Sequence, residues 1–210
     1  MSNELPDLQK TDPERFWEER YQAASPSSSG APSAALRRFA ESLEAGRALE
    51  LGCGKGDDAV WLAATGWAVV AVDISSTALR YAAANAERAG VAHRIVFEPH
   101  NLSHSFPDGQ FDLVTACFLA ALPREDVLRR ATEAVAPGGH LLIVDHATQP
   151  PWSSAPPDRH YPTAAETWAA LALKERDWAR LYVGELERRT SGPNGETAMV
   201  RDHVLFLKRL

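Results

Sequence analysis

RALELGCGKGDDAVWL, residues 47–62, places three glycines in five positions between an apolar run and a segment with helical spacing. A strand-type run, a bare turn and a helix start, in that order, make the first half of a β-α unit, with the turn at the carboxyl end of the strand. Gly52 and Gly54 let the main chain pass close to a ligand, and DDAVWL offers that ligand a helix N-terminus. The dinucleotide fingerprint G-x-G-x-x-G is not met. Counted from Gly52, its last position falls on Asp57, and the carboxylates of Asp57 and Asp58 would repel a pyrophosphate there. A nicotinamide-type oxidoreductase is the alternative that this spacing disfavours.

Working outward, the same alternation continues. WAVVAVD reads as a strand, STALRYAAANAERA as a helix closed by Gly90, RIVFE and FDLVTACFL as strands, the segment from Pro123 to about Ala136 as a helix, and HLLIVD as a strand. Such β-α alternation predicts an α/β fold, a doubly wound, mostly parallel sheet with right-handed crossovers. The last part changes character. TAAETWAALAL opens with Thr163 and Glu166 at capping-box spacing, and LYVGELERRT and AMVRDHVLFLKRL flank SGPNGE as a hairpin, which predicts an antiparallel strand at the sheet edge. At the other end, PERFWEERYQ after Asp12 is a short helix with Trp17 and Tyr21 on one face, followed by ASPSSSGAPS, a connection too rich in Ser, Pro and Gly for a regular element. The expected division is residues 1–36 for that helix with a flexible connection and 37–210 for the main domain.

Composition bounds the function. Of 210 residues, 22 are basic and 28 acidic, a net charge of −6 that argues against holding nucleic acid by its phosphates. Two cysteines, Cys53 and Cys117, are too few for a disulfide framework, and the first residues contain no apolar signal core, so a cytoplasmic protein is expected. No run is long and apolar enough to span a membrane.

AVDIS ends the second strand with Asp73, nineteen residues after Gly54. An acidic side chain there can accept both hydroxyls of a ribose; it can also cap the next helix, although Ser75 and Ser76 are better placed for that.

LELGCGKG, AVDIS, NLSHSFPDGQFDLVTACFL and AVAPGGHLLIVD together resemble the successive motifs of class I methyltransferases that use S-adenosylmethionine, and the C-terminal hairpin resembles that family's reversed seventh strand. The resemblance implies a Rossmann-like, seven-stranded sheet and S-adenosylmethionine as cofactor. It also implies that Glu50 and the turn Gly52, Cys53, Gly54 neighbour the methionine part, Asp73 the ribose, Ile74 one adenine face, and Asn101 and Leu102 the adenine edge. Many relatives carry Asp where this chain has Asn101. Cys117 and Phe118 would line the path from cofactor to acceptor. FWEERY is similar to the opening segment of the tellurite-resistance and thiopurine methyltransferase group, which closes over the cofactor, and this places Trp17 and Tyr21 there. An ordinary amphipathic helix is the competing reading.

A methyl on a positively charged sulfur already has a good leaving group, so the protein mainly aligns the nucleophile. If a general base is used, His146, His160 and Tyr161 are the candidates, because they follow the LLIVD strand in HATQPPWSSAPPDRHYP, a loop expected to cover the acceptor. No Asn/Asp-Pro-Pro-aromatic motif follows the fourth strand, which makes base methylation improbable. Cys117 stands where metal-assisted relatives need a carboxylate, so no metal is expected. The expected partner is a small-molecule methyl acceptor, and a non-catalytic S-adenosylmethionine-binding module is a further alternative. Cys53 and Cys117 should end adjacent strands and remain reduced.

Overall fold

The computed structural model describes residues 12–121, 123–153, 155, 159–192 and 194–210. The chain order is α1 (Pro13–Gln22), α2 (Ala34–Ala40), β1 (Arg47–Leu51), α3 (Asp57–Ala64), β2 (Ala68–Asp73), α4 (Ser76–Arg88), β3 (Ile95–Pro99), β4 (Phe111–Cys117), α5 (Arg124–Ala134), β5 (Val135–His146), α6 (Ala164–Leu171), β6 (Trp178–Ser191) and β7 (Thr197–Arg209). Side-chain alternation sorts the strands into two faces. Ala48, Ala71, Leu113, Leu142 and Val204 bury against α2, α3 and α4, whereas Leu49, Val72, Val114, Ile143 and Leu205 bury against α5 and α6.

The seven strands run in the order β3-β2-β1-β4-β5-β7-β6. The first five are mutually parallel, and β7 pairs antiparallel with both β5 and β6. The expected doubly wound, mostly parallel sheet with a C-terminal hairpin is therefore present. One detail differs: the reversed strand β7 lies inside the sheet, and its hairpin partner β6 forms the edge. The apolar side chains of β7, Leu205 and Leu207 on one face and Val204 and Phe206 on the other, demand cover on both faces, whereas β6 alternates between half-buried and exposed. The strand order reverses between β1 and β4, which opens a crevice at their carboxyl ends.

The caps follow the sequence closely. Ser75 caps α4, its hydroxyl accepting from the Ala78 N–H at 3.1 Å, and both halves of the Thr163–Glu166 capping box form at α6. Cys53 and Cys117 follow and end the adjacent strands β1 and β4, pack into the same core, and are both free thiols.

Helix α2 is an element that the Ser-Pro-rich reading did not separate from the connection. Ser33 caps it, accepting from the Leu36 N–H at 3.2 Å, and Ala35, Leu36 and Ala40 are buried. The connection before it is held at four points. Asp57 accepts from the N–H groups of Ser29 (3.1 Å) and Gly30 (3.0 Å), Asp58 accepts from the Ser33 N–H (2.5 Å), Lys55 Nζ donates to the Ser27 carbonyl (3.0 Å), and the Asn85 amide donates to Ser28 Oγ (3.1 Å).

Candidate active site

At the strand-order reversal lies a cleft with about 690 Å³ of empty space, its open mouth included, lined by Trp17 and Tyr21 from α1, Gly52, Asp73 and Ile74, and Asn101, Leu102 and Phe118. These eight are among the residues singled out from the sequence. The floor is the glycine turn. Gly52 and Gly54 both have positive φ (75° and 54°), and a Cβ on either would stand 2.8 Å from a neighbour, Leu119 Cδ1 for Gly52 and the Tyr21 hydroxyl for Gly54. The close approach inferred from the sequence is thus real, and α1 makes half of it.

Asp73 ties the turn to β2. Its Oδ2 accepts from the Gly54 N–H at 2.8 Å and its Oδ1 from the Ser75 N–H at 2.9 Å, and each carboxylate oxygen retains a further lone pair for a ligand hydroxyl. Behind the turn sits Glu50, 5% exposed, with Oε2 buried and without a hydrogen-bond partner. Burial pushes its carboxyl well above the usual range, and Asp58 and Asp73 add to the shift; burial likewise raises Asp58 and Asp73 themselves. None of these three forms an ion pair with a basic side chain among the described residues. Such a site gains from a cationic ligand. Burial, with the neighbouring Asp73 charge, also pushes the Tyr21 phenol up, so its hydroxyl is a donor at ordinary pH.

Two candidates from the glycine turn and β4 stand back from the cleft. Cys53 is buried beneath the turn, and the half-buried Cys117 accepts from the Ser33 hydroxyl at 3.7 Å, so neither lines the open space. Sequence reasoning missed His100 and Ser103, which complete the wall of the cleft beside Asn101 and Leu102. His100 Nδ1 lies 2.9 Å from Ser105 Oγ and its Nε2 lies 3.1 Å from Glu98, contacts that only the turn after β3 creates. Asn101 Oδ1 accepts from the Ser103 N–H at 3.1 Å and closes that turn.

At the other end of the cleft, Phe118 has φ 55°, rare for a bulky residue, and its N–H donates to the Val144 carbonyl at 2.8 Å. The His146 ring stacks on it with centroids 4.5 Å apart, and Tyr161 meets His146 edge-on at 5.6 Å. The structure therefore brings His146 and Tyr161 together behind Phe118, next to the residues that line the cleft and not among them. It sets His160 apart, 71% exposed and 3.5 Å from Glu166 at the start of α6.

Residues 48–139 match the methyltransferase domain family. That stretch, less than half of the chain, is similar to a methyltransferase domain. Its curated relatives include a 27-O-demethylrifamycin SV methyltransferase of Amycolatopsis mediterranei (strain S699), 36% identical over 113 residues, and a ribosomal protein L11 methyltransferase of Thermus thermophilus, 37% identical over 110 residues. Those alignments take in 51% and 52% of this chain and 42% of each relative, so less than half of either relative's length is matched. Among solved structures, one from work on the conversion of a disulfide bond into a thioacetal group during echinomycin biosynthesis shares the fold at a TM-score of 0.71, with 24% identity over 93% of this chain and 92% of that one. TehB from Haemophilus influenzae shares it at 0.61, with 16% identity over 93% of this chain and 66% of that one.

The cofactor of such a domain is S-adenosylmethionine, and the residues present fit it. The molecule is cationic at both its sulfonium and its ammonium, which suits a turn backed by the orphaned Glu50 oxygen and by Asp58 and Asp73. A dinucleotide fits poorly, because the N-terminus of α3, where a pyrophosphate would lie, presents Asp57 and Asp58 already bonded to residues 29–33. Among the described residues no helix is long and apolar enough to cross a membrane.

Proposed function

We propose that the protein is an S-adenosylmethionine-dependent methyltransferase acting on a small-molecule acceptor. The observation that carries the reading is the cluster of buried carboxylates without a cation beneath the glycine turn that floors a cleft of mixed polar and apolar lining. Glu50 would face the ammonium and the Gly52–Gly54 turn the methionine chain. Asp73 would take the ribose, Ile74 an adenine face, and Asn101 and Leu102 its edge. Trp17 and Tyr21 would roof the cofactor. Phe118 would mark the passage to the acceptor, with Cys117 behind it and His146 or Tyr161 as proton acceptor; His160 would serve only if its loop moved. The bound cofactor supplies an electrophilic methyl group, and the protein supplies alignment and exclusion of water.

The cleft falls within the size range of small-ligand pockets, and α1 lies across it, so a compact acceptor entering at the Phe118 end fits better than a folded protein surface. The relative named for 27-O-demethylrifamycin SV agrees with this reading, and the one named for ribosomal protein L11 supplies the competing outcome. Two measurements test it. Calorimetry should show binding of S-adenosylmethionine and S-adenosylhomocysteine with dissociation constants of about 1 μM, or about −8 kcal/mol, and no heat with NAD. Because a cation lowers the raised Glu50 carboxyl, binding should release a proton, so affinity rises with pH and the observed heat varies with the buffer's ionisation enthalpy. Release of S-adenosylhomocysteine should then follow from a small-molecule panel and not from ribosomal protein; the reverse result overturns the acceptor class, and heat with NAD alone overturns the whole reading.

A further inference from the structure

The mixed end of the sheet holds a charged cluster that cofactor binding does not use. The antiparallel pairing of β5 with β7 sets His146 directly opposite Asp202, and the hairpin brings Arg188 of β6 diagonally beside them. Asp202 is 2% exposed. Arg188 clamps it with two bonds, Nε to Oδ2 at 2.5 Å and Nη2 to Oδ1 at 3.3 Å, and the guanidinium also lies over the Phe118 ring at 5.3 Å from the centroid. His146 points Nδ1 at the same carboxylate, 3.7 Å from Oδ1, while its ring face packs on Phe118. Among the described residues, the other charged and titratable groups near the ring include its neighbour Asp145, held by Arg124 of α5, His203, which pairs with Asp145 across the strands and lies 3.7 Å from Glu185, and Tyr161, over which Arg159 stacks.

We propose that His146 is the proton acceptor of the transfer, that Asp202, immobilised by Arg188, is its positioning residue, and that the methyl acceptor is therefore a hydroxyl that enters still protonated. This rests on the methyltransferase reading above. A carboxylate facing Nδ1 favours the tautomer with the proton on Nδ1, which leaves the Nε2 lone pair on the opposite edge of the ring to receive a proton. The 3.7 Å separation exceeds a hydrogen bond, as is common before a ligand closes a site. Acceptors that already present a reactive lone pair, such as thioethers, metalloid anions, neutral amines or thiols that ionise readily, have little use for such a base, whereas a neutral hydroxyl, a weak nucleophile while it keeps its proton, needs one. In the balanced step the hydroxyl oxygen bonds to the methyl carbon while the carbon–sulfur bond breaks and its electron pair stays on sulfur. The hydroxyl proton passes to Nε2, and the imidazolium that forms is met by Asp202. The products are a methyl ether, a neutral thioether and one proton held on the protein.

The first test needs neither cofactor nor acceptor. Two-bond nitrogen–proton correlation of the imidazoles in the full chain, at mildly alkaline pH, should show the Nδ1–H tautomer for His146 and its loss in Asp202→Asn; the same tautomer in both proteins overturns the positioning role. The second uses His146→Gln, a half-exposed site whose replacement spares the core, with S-adenosylmethionine and two acceptor probes, phenol and para-nitrophenol. A base is needed for the first and superfluous for the second, which is already ionised, so turnover should fall about a hundredfold with phenol and less than about threefold with para-nitrophenol. Equal losses, no loss, or a wild-type protein that binds S-adenosylhomocysteine yet methylates neither phenol overturns the proposal. Failure to bind S-adenosylhomocysteine at all defeats the methyltransferase reading instead, and leaves the tautomer to decide the His146–Asp202 coupling on its own.

Discussion

The two N-terminal helices are separated by only eleven residues and are held by opposite means. α2 buries Ala35, Leu36 and Ala40 against the sheet, with Leu36 fully excluded from solvent. α1 buries none of its residues fully, and Trp17 and Tyr21 are only half-buried. It is held instead by Glu18, which accepts from the Ser75 hydroxyl at 2.7 Å, the Thr77 N–H at 3.1 Å and the Thr77 hydroxyl at 2.6 Å, thereby capping the N-terminus of α4, and by Tyr21 against the glycine turn. Burying a leucine contributes about 1.5–3 kcal/mol, and water cannot replace it; hydrogen bonds to a half-buried carboxylate such as Glu18 can be exchanged for bonds to water. A ten-residue helix is also shorter than the roughly 12–15 residues at which isolated helices become even marginally stable. From this difference we propose that the domain proper begins at α2, and that α1 is a cover able to leave without unfolding what it covers.

The largest effect should come from the buried side of this contrast. Leu36→Ala should destabilise the fold by about 2–5 kcal/mol, read as a lowered midpoint in chemical denaturation. A loss below about 1 kcal/mol would mean that α2 is as detachable as α1. Next, removal of residues 1–22 should leave the denaturation midpoint of the sheet nearly unchanged while weakening S-adenosylhomocysteine binding at least about tenfold, because the roof of Trp17 and Tyr21 is gone. Equal affinity in the truncated chain would show that α1 packs beside the cleft without closing it.

These contrasts also show what could be read from the sequence. The strands, α3 to α6, the capping box at Thr163 and the hairpin were legible because each is written locally, in alternation, caps and turn residues. Asp73 and the glycine turn were legible because both sit at fixed offsets from a strand end. α2 was not, since seven residues between a Ser-Pro-rich stretch and a loop hold too little periodicity to stand out. Asp57 and Asp58 were read as repelling a phosphate, and the structure adds the positive role they play, fastening the chain at Ser29, Gly30 and Ser33. Glu18 and the Asp202–Arg188 pair were invisible for the same reason: their partners lie far off in sequence or across a strand register, and only the assembled sheet brings them together.

The smallest effect, and the one that sharpens the comparison most, is the response of α1 to acid. Bonds from Thr77 and Ser75 hold the Glu18 carboxylate down at about 2, against an ordinary value of 4.5. A carboxyl whose folded value is depressed contributes its full share above the unfolded value and loses it as pH falls towards the folded one. Docking of α1 should therefore be constant from neutral pH to about 4.5 and weaken between there and about 2, whereas α2, whose buried face carries no titrating group and whose N-cap contact Asp58 has a carboxyl raised rather than lowered, should not follow this acid-side loss. Hydrogen exchange corrected for intrinsic rates provides the readout, as the ratio of protection in α1 to that in α2 across this window. Glu18→Gln removes the charge while keeping one acceptor oxygen, so it should lower α1 protection at neutral pH and abolish its acid dependence. If wild-type α1 instead keeps constant protection down to the lower end of the window, the helix is held by Trp17 and Tyr21 against the glycine turn, and the cap on α4 is incidental to closure.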